Sequence, residues 1–353
     1  MEGILQGNVQ TDFARAVTHL PHSKAFFPIF NMTKNLHIEH PEDSILTGNL
    51  SVLDAFLLPL LLSLKIDGAP AIVWGRNPAN GKQFVGTKSV FNKKLIKICH
   101  STEDIDKFYT GSLRHILYHC LSYLPITNNI YQGDFIGFGG AKNYRPNTIT
   151  YSFPEQIDAK LVIAPHTQYY AEKDLRDAIS YPLVNKLDSN DFVHYVQPDA
   201  YIRAGYGANY GETFDAFYDT KGWIDWAKRV SQTVQFVDDN KAKKLKINLN
   251  HLIRTESDIE PELFEGLCDT KLIEFWLIVR DIKRMALDEC RHKGNFKSYI
   301  NYNVEVIGEG FVMNTRYGSY KLVRRNLFSY ANFNNDKFNN TTNNKEREIA
   351  YAA

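Results

Sequence analysis

Segments with strand character flank a long helical stretch, and this order restricts the fold more than any other feature of the sequence. Residues of about 220–294 carry apolar side chains at helical spacing. Strand-like runs cover 129–138 and 159–164 before this stretch, and 302–313 and 320–323 after it. This order predicts an α+β fold, in which an antiparallel-sheet domain contains a mostly helical inserted subdomain.

Two local patterns lie upstream of the helical stretch. The runs 71–74 and 82–86 are β-prone and are separated by an Asn-Gly turn signal at 80–81, which predicts a hairpin. Apolar residues at helical spacing predict a helix over 106–124. We expect Lys65 to lie just before the first strand of the hairpin.

Charge and cysteine usage limit the classes of protein. The net charge is only +1, so any nucleic-acid surface must be a local patch. The four cysteines are widely spaced without a CxxC pair, which favours a reduced intracellular protein. The N-terminus lacks the features of a secretory signal, and the apolar run 53–64 is too short to span a bilayer. These features predict a cytoplasmic protein with no membrane partner.

The segment Lys65-Ile66-Asp67-Gly68 carries the clearest chemical signal. A lysine becomes a nucleophile when burial or a neighbouring cation lowers its pKa, and the apolar run before Lys65 predicts such burial. Gly68 allows the backbone to pass closely by a ligand. For so short a motif, the alternative is a surface turn with a solvated lysine and aspartate.

Three other segments each place one charged residue in an apolar strand. Asp134 follows a glycine, Glu309 lies between two glycines, and Lys321 has apolar neighbours. Taken one at a time, each of these residues fits an edge strand or a turn equally well. Their order along the chain, together with Lys65, indicates a common function.

In this order the segments resemble the nucleotidyl-transfer motifs of the covalent nucleotidyltransferase superfamily, which contains ATP-dependent DNA ligases, RNA ligases and mRNA capping enzymes. The resemblance covers motif I at 65–68, motif III at 131–137, motif IV at 309–312 and motif V at 321–323. It implies a nucleotidyltransferase domain of the ATP-grasp-like ligase type. It also implies that AMP passes from ATP to a lysine and then to a 5′-phosphate end, which a 3′-hydroxyl seals.

The resemblance assigns roles residue by residue. Lys65 is expected to attack the α-phosphate of ATP, and Lys321 is expected to touch that phosphate and help keep Lys65 deprotonated. Glu309 is expected to bind the catalytic Mg²⁺ or Mn²⁺. Asp134, where the family more often has Glu, is expected to contact the ribose or a metal-bound water and is a second candidate metal ligand. Further nucleotide contacts are expected from Leu64, Asp67, Gly68, Arg76, Lys88, Tyr169 and Val312, with Tyr169 stacking on adenine.

The sequence also departs from the family pattern. Pro70 stands where many DNA ligases have Arg, and Val323 replaces the second lysine of motif V. The segment after Val323 is too short for the OB-fold domain that DNA ligases and capping enzymes use, which favours the RNA-ligase-like branches. A nucleic-acid strand end, RNA in preference to DNA, is therefore the expected partner. Candidate phosphate contacts in the helical stretch are Lys241, Lys243, Lys244, Lys246, Arg280, Lys283 and Arg284.

The expected domain organisation follows from these segments. An N-terminal cap covers 1–50, the nucleotidyltransferase domain covers 51–219 and 295–333, the helical subdomain covers 220–294, and a poorly ordered Asn-rich tail covers 334–353. Two alternatives remain open. One is a DNA ligase or another nucleotidyltransferase with a different acceptor, and the other is a non-catalytic virion-associated protein that keeps the fold. The composition resembles that of bacteriophage proteins, for which the host cytoplasm is the expected location.

Overall fold

The computed structural model describes residues 38–57, 59–203, 220–300 and 304–333. The predicted tail and most of the predicted N-terminal cap lie outside these residues. Within them the chain forms eight α-helices. These are α1 (Pro41–Ser44), α2 (Ser51–Leu57), α3 (Thr102–Phe108), α4 (Gly111–Tyr123), α5 (Lys221–Val230), α6 (Asp239–Arg254), α7 (Thr270–Glu289) and α8 (Arg325–Phe333).

Fifteen strands form four sheets in the described part of the chain. The strands are β1 (Pro59–Lys65), β2 (Ala71–Arg76), β3 (Gln83–Gly86), β4 (Ile130–Phe138), β5 (Ala141–Tyr144), β6 (Ile149–Ile157), β7 (Leu161–Tyr170), β8 (Ile179–Pro182), β9 (Val193–Tyr195), β10 (Ala200–Ile202), β11 (Cys290–His292), β12 (Lys297–Ile300), β13 (Val304–Val306), β14 (Gly310–Thr315) and β15 (Gly318–Val323). The largest sheet has the order β3-β2-β4-β7-β8, with β9 parallel to β7. The others are β1-β14-β15, β13-β12-β6-β5 and the ribbon β10-β11.

The three-stranded sheet β1-β14-β15 brings distant parts of the sequence together. Its strands are antiparallel, and Ser63 pairs with Val312, which in turn pairs with Lys321. Lys65 pairs with Gly310 at the end of β1. Because side chains alternate between the faces of a strand, Ser63, Lys65, Val312 and Lys321 share one face of this sheet.

The helices of residues 221–289 share a hydrophobic core with the three-stranded sheet, whereas α3 and α4 pack against the large sheet. The buried face of α7 follows the predicted helical spacing. That face contains Leu272, Ile273, Trp276, Val279 and Ile282, and it belongs to the same cluster as Leu62, Phe311, Met313 and Leu322 of the sheet. The lysine-bearing strands are thus supported by the helical region.

Helix α5 shows where the apolar pattern misleads. Trp223 and Trp226 have helical spacing, as predicted, but they are 48% and 39% exposed. The helix instead buries Ile224 and Ala227. The spacing identifies the helix, while the neighbouring elements decide which face is covered.

Most other expected elements are present with changed boundaries. The hairpin β2-β3 is confirmed, with the register Val73 opposite Gly86. The helix predicted over 106–124 is instead two helices, α3 and α4, because Tyr109 and Thr110 between them have extended backbone angles. The strand predicted over 302–313 is broken before β14, where Gly308 has φ +54.

The described residues therefore confirm an α+β fold with mainly antiparallel sheets. Lys65 ends a strand of its own, β1, and does not merely precede the hairpin. All four cysteines are free thiols, in agreement with the absence of a disulfide pattern in the sequence. None of the helices in the described ranges has the length and apolar character needed to cross a membrane.

Candidate functional site

A cavity of about 730 Å³ lies between the three-stranded sheet and the large sheet. One wall carries the residues of β1, β14 and β15, and the opposite wall carries residues of β4 and β7. The volume is in the range of small-molecule sites. Seven of the residues predicted from the sequence line it, namely Leu64, Lys65, Lys88, Asp134, Tyr169, Val312 and Lys321.

Lys65 and Glu309 form the central contact of this site. The Glu309 carboxylate accepts a hydrogen bond from Lys65 Nζ and forms an ion pair with it. The Glu309 N–H also donates to the Lys65 carbonyl over 3.1 Å. The glycines on either side of Glu309 have φ of +54 (Gly308) and +141 (Gly310), which lets the chain turn tightly into β14. The sequence motifs around 65 and 309 thus meet as expected.

The charge state of Lys65 differs from the expectation. Burial alone lowers the pKa of this amine, but the Glu309 and Asp67 carboxylates outweigh burial and raise the pKa above its ordinary value. Lys65 is therefore an ammonium in this arrangement. Lys321 shows the opposite effect, because burial and then the positive charge of Lys65 lower its pKa. The two lysines are close enough to interact, as expected, but Lys321 does not by itself deprotonate Lys65.

Asp67 lies in a partly buried polar cluster beside Lys65. Its carboxylate accepts a hydrogen bond from Asn147 Nδ2 over 2.8 Å, and its backbone N–H donates to the Tyr151 hydroxyl over 2.6 Å. Burial and then the negative charge of Glu309 raise the pKa of Asp67 to about 7. These contacts hold the loop after β1 against β6.

The opposite wall of the cavity carries a second polar cluster. The Tyr169 hydroxyl donates to Gln132 Oε1 over 2.7 Å, and Gln132 Nε2 lies 3.4 Å from His166 Nε2. The same imidazole nitrogen lies 3.7 Å from Asp134 Oδ1. Tyr169 is 4% exposed, and its ring centroid lies 4.4 Å from that of Phe91. Tyr169 lines the cavity, but burial and the contact with Phe91 leave little of its ring free for stacking on a base.

Other predicted residues have different positions. Gly68 packs closely on β4, since a Cβ there would come within 2.8 Å of the Phe135 carbonyl oxygen. Arg76 does not line the cavity; Nη1 donates to the carbonyl of Gly81 in the β2-β3 turn over 3.0 Å. Lys283 is a correction to the list of phosphate contacts, because it is buried and forms an ion pair with Glu42 at 2.5 Å.

The carboxylates near Lys65 are the candidate metal ligands of this site. In the described ranges no three His, Cys, Asp or Glu side chains form a group that holds a metal ion by themselves. Mg²⁺ commonly takes only one or two carboxylates and completes its shell with phosphate oxygens and water. Glu309 and Asp134 each act on the pKa of Asp67, so both carboxylates lie near that residue. As hard oxygen donors they have the chemistry that Mg²⁺ prefers, and phosphate oxygens and water would have to complete the ligand set.

Comparison with known proteins gives one match. A model described as a family of unknown function, DUF6267, matches residues 35–272 and 265–337, which together make up most of the chain. The chain belongs to the DUF6267 family. No curated protein and no solved structure matches the sequence. The DUF6267 match covers Lys65, Asp134, Glu309 and Lys321. The description of the family names no activity.

Several polar residues of this DUF6267 site were not predicted from the sequence. Gln132 and Asn147 are ordinary polar residues in the sequence, and their role appears only through contacts across sheets. One feature of the sequence could have indicated Gln132. It lies two residues before Asp134, so the two side chains share one face of β4. His166 lines the cavity beside Asp134, although nothing in its sequence context marks it as a site residue.

Proposed function

We propose that this protein is an ATP-dependent polynucleotide ligase that acts through a covalent lysyl-AMP at Lys65. The observation that carries the proposal is that the Lys65 amine, the Lys321 amine and the Asp134 carboxylate face one cavity, with Glu309 in contact with Lys65. The residues that supply these groups are far apart in the sequence. A nucleophile, a phosphate-binding cation and metal-binding carboxylates are the groups that phosphoryl transfer requires.

The register of the sheets supports an orientation for the nucleotide. Lys65 and Lys321 share one sheet face, where the α-phosphate would lie. On the opposite wall, Asp134 pairs with Ala71 and Gln132 pairs with Val73, so Gln132 is farther from the end of β1 along the sheet. The ribose would then lie near Asp134 and the base near Gln132 and Tyr169.

The first step forms one bond and breaks one. The Lys65 nitrogen attacks the α-phosphorus of ATP, a P–N bond forms, and the P–O bond to the pyrophosphate group breaks. Lys65 must first lose a proton, so its ion pair with Glu309 must open. Glu309 and Asp134 would hold Mg²⁺ or Mn²⁺ together with phosphate oxygens, and the ion would supply positive charge at the phosphates. The proton of Lys65 passes to solvent water. Burial and the Lys321 charge then favour the neutral amine of Lys65.

The later steps consume the adduct. An oxygen of a 5′-phosphate attacks the same phosphorus, the P–N bond breaks, and Lys65 recovers its amine. A 3′-hydroxyl then attacks the activated 5′-phosphate, and AMP leaves with the former linking oxygen. We propose RNA ends as the preferred substrate. The acceptor experiment distinguishes RNA ends from DNA ends and from other acceptors.

Labelling with α-³²P nucleotides tests the first step. The purified protein is incubated with labelled ATP or GTP and Mg²⁺ or Mn²⁺, and the products are separated by denaturing electrophoresis. We expect a protein-bound label from ATP that is stable to base and lost in acid, as a phosphoramidate is. Lys65→Ala and Lys65→Arg abolish it, while Lys82→Ala, which changes an exposed lysine of the β2-β3 turn, keeps it. A wild-type protein without label under all four conditions contradicts the proposal.

The acceptor is tested with the labelled protein. Unlabelled 5′-phosphorylated RNA, 5′-phosphorylated DNA and nicked duplexes are added in parallel, and transfer of AMP to each end is followed. We expect transfer to RNA and sealing in the presence of a 3′-hydroxyl. A stable adduct that none of these ends discharges points to another acceptor and contradicts the ligase assignment.

A further inference from the structure

The ribbon β10-β11 lies at one side of the cavity and carries aromatic and basic residues. Tyr201 pairs with Arg291 across the ribbon, and Tyr201 and Lys293 both line the cavity. The Lys293 ammonium lies 5.8 Å from the centroid of the Tyr201 ring. Since Arg291 and Lys293 are two residues apart, the three side chains share one face of the ribbon.

The ribbon is tied to the strand that carries Lys65. The Lys293 N–H donates to the Asp199 carbonyl over 2.8 Å, and Asp199 forms an antiparallel bridge with Ser63 of β1. Ser63 precedes Lys65 by two residues, so the Asp199 backbone lies about 8 Å from that of Lys65 by strand geometry. The face with Tyr201 therefore begins next to the proposed nucleophile.

The charges of this face are not balanced by its own acids. Asp199 pairs with Lys186 at 2.6 Å, and Glu289 pairs with Arg203 at 3.4 Å. Among the residues that the structure describes, the Arg291 guanidinium donates to the backbone carbonyls of Asp288 and Cys290, at 2.7 and 2.8 Å. In the structure as described, neither Arg291 nor Lys293 forms an ion pair with a carboxylate.

The aromatic member of the face is accessible. Tyr201 is 38% exposed. Burial of a tyrosine ring in a contact is favourable, so an exposed ring is available to a binding partner. Cations that follow a backbone, together with an aromatic ring on which a base stacks, are the two elements of single-strand nucleic-acid binding. A free anion would use the cations alone and would leave the ring unexplained.

We propose that the face formed by Tyr201, Arg291 and Lys293 binds the single-stranded RNA whose 5′-phosphate accepts AMP. This inference rests on the proposed function for the identity of the reacting end. Arg291 and Lys293 contact phosphates, and Tyr201 stacks on a base near that end. The bridge from Asp199 to Ser63 places the strand beside Lys65.

RNA binding and AMP transfer are measured separately, so that a failure of the strand site can be distinguished from a failure of the proposed ligase activity. Binding of a fluorescent 5′-phosphorylated single-stranded RNA is followed by anisotropy over a range of salt concentrations, without ATP. Loss of one phosphate contact lowers the slope of log K against log[salt] by about 0.7. We expect this change for Lys293→Gln and Arg291→Gln. The matched control is Lys297→Gln, since Lys297 lies on β12 and pairs with Glu305 at 3.5 Å.

The stacking residue has its own test. Tyr201→Ala is expected to weaken RNA binding roughly ten-fold without changing the salt slope, and Tyr201→Phe is expected to restore it. Relative to the amount of Lys65 adduct that each variant forms, AMP transfer to RNA should fall by about ten-fold in Lys293→Gln and Tyr201→Ala, while Lys297→Gln transfers like wild type. A DNA strand of the same sequence, tested in parallel, reports whether the face distinguishes the two polymers.

The outcomes are distinct. If the Lys293 and Tyr201 variants bind and transfer like Lys297→Gln, the strand site is wrong even where the wild type forms the adduct. If the wild type binds no RNA at low salt, the strand site is wrong whatever the adduct shows. If no adduct forms but the variants lose RNA binding as described, the proposed ligase activity fails and the strand site stands.

Discussion

Lys65 and Glu309 are linked through both backbone and side chain. The Glu309 N–H donates to the Lys65 carbonyl over 3.1 Å, and the two side chains form an ion pair. The backbone bond fixes the turn before β14 against the end of β1, so the Glu309 side chain begins next to Lys65. The same carboxylate that is proposed to bind the metal therefore also keeps the amine protonated before the nucleotide enters.

Replacing Glu309 should separate these two effects. Among the charges around Lys65, Glu309 contributes most to its raised pKa, so Glu309→Gln should lower that pKa by about 1–3 pH units. The pH dependence of Lys65 acylation by an amine reagent, followed by mass spectrometry, measures this change. Adduct formation with ATP should nevertheless fall about 10–100-fold, because the metal loses a ligand. An unchanged pH profile of acylation would show that the ion pair does not control the amine.

The raised pKa of Asp67 predicts a pH-dependent stability. Its folded-state pKa of about 7 exceeds its unfolded value of about 3.9, so the folded protein binds more protons in that interval. Stability is therefore lost as the pH rises from about 4 to 7, and the full penalty applies above 7. Asp67→Asn should remove it and raise the melting temperature at pH 8 by about 2–4 °C, with no gain at pH 4.

The control for this prediction is Asp225→Asn, because the Asp225 side chain is 44% exposed and pairs with Lys221 only on the surface. It should show no pH-dependent gain in melting temperature. Equal melting curves for Asp67→Asn and wild type at pH 8 would mean that Asp67 carries no burial penalty.

Gly68 is required by close packing. A Cβ at this position would lie 2.8 Å from both the Phe135 carbonyl oxygen and Ile136 Cδ1, and 3.0 Å from the Asp134 Cβ. Gly68→Ala should cost about 1–3 kcal/mol of unfolding free energy and reduce adduct formation, because β4 and Asp134 must shift. Urea denaturation measures the cost. The control is Gly222→Ala in α5, which has no neighbour within 4 Å and should be neutral or slightly stabilising. Equal stabilities for the two variants would contradict the packing argument.

The elements of the fold were largely predictable because their patterns are local. Apolar spacing identified α7, and a turn signal between β-prone runs identified the hairpin. The break between α3 and α4 was not predicted, because the apolar spacing continues across it while Tyr109 and Thr110 adopt extended backbone angles. The exposure of Trp223 could not be predicted, since it depends on which neighbouring elements cover the helix.

The site was predictable only where a charged residue stands among apolar ones. Lys65, Asp134 and Lys321 have this pattern, and the structure brings them to one cavity. The charge state of Lys65 was not predictable. Burial lowers the pKa of its amine, whereas the carboxylate of Glu309, which is far away in the sequence, raises it. Polar partners such as Asn147 carry no sequence signal, because their roles arise from contacts between strands that are far apart along the chain.

The buried network around Glu42 gives the last prediction. Glu42 is fully buried, and its Oε1 accepts hydrogen bonds from Lys283 Nζ at 2.5 Å and Arg325 Nη1 at 3.0 Å. Arg325 lies two residues after the end of β15, so the network anchors the strand that carries Lys321. Arg325 Nη1 also pairs with the buried Asp43 carboxylate at 2.8 Å, so without Lys283 a single cation would face two buried carboxylates. An uncompensated buried charge of this kind costs about 3–5 kcal/mol.

Lys283→Met should therefore lower the unfolding free energy in urea by about 3–5 kcal/mol. The exposed lysine of α5 provides the control, because Lys221→Met removes a surface pair and should cost no more than about 0.5 kcal/mol. The double variant Glu42→Gln with Lys283→Met should recover part of the loss, since it leaves no unpaired carboxylate. If Lys283→Met were as mild as Lys221→Met, Lys283 would not compensate Glu42 in the folded protein, and a surface role for it would have to be reconsidered.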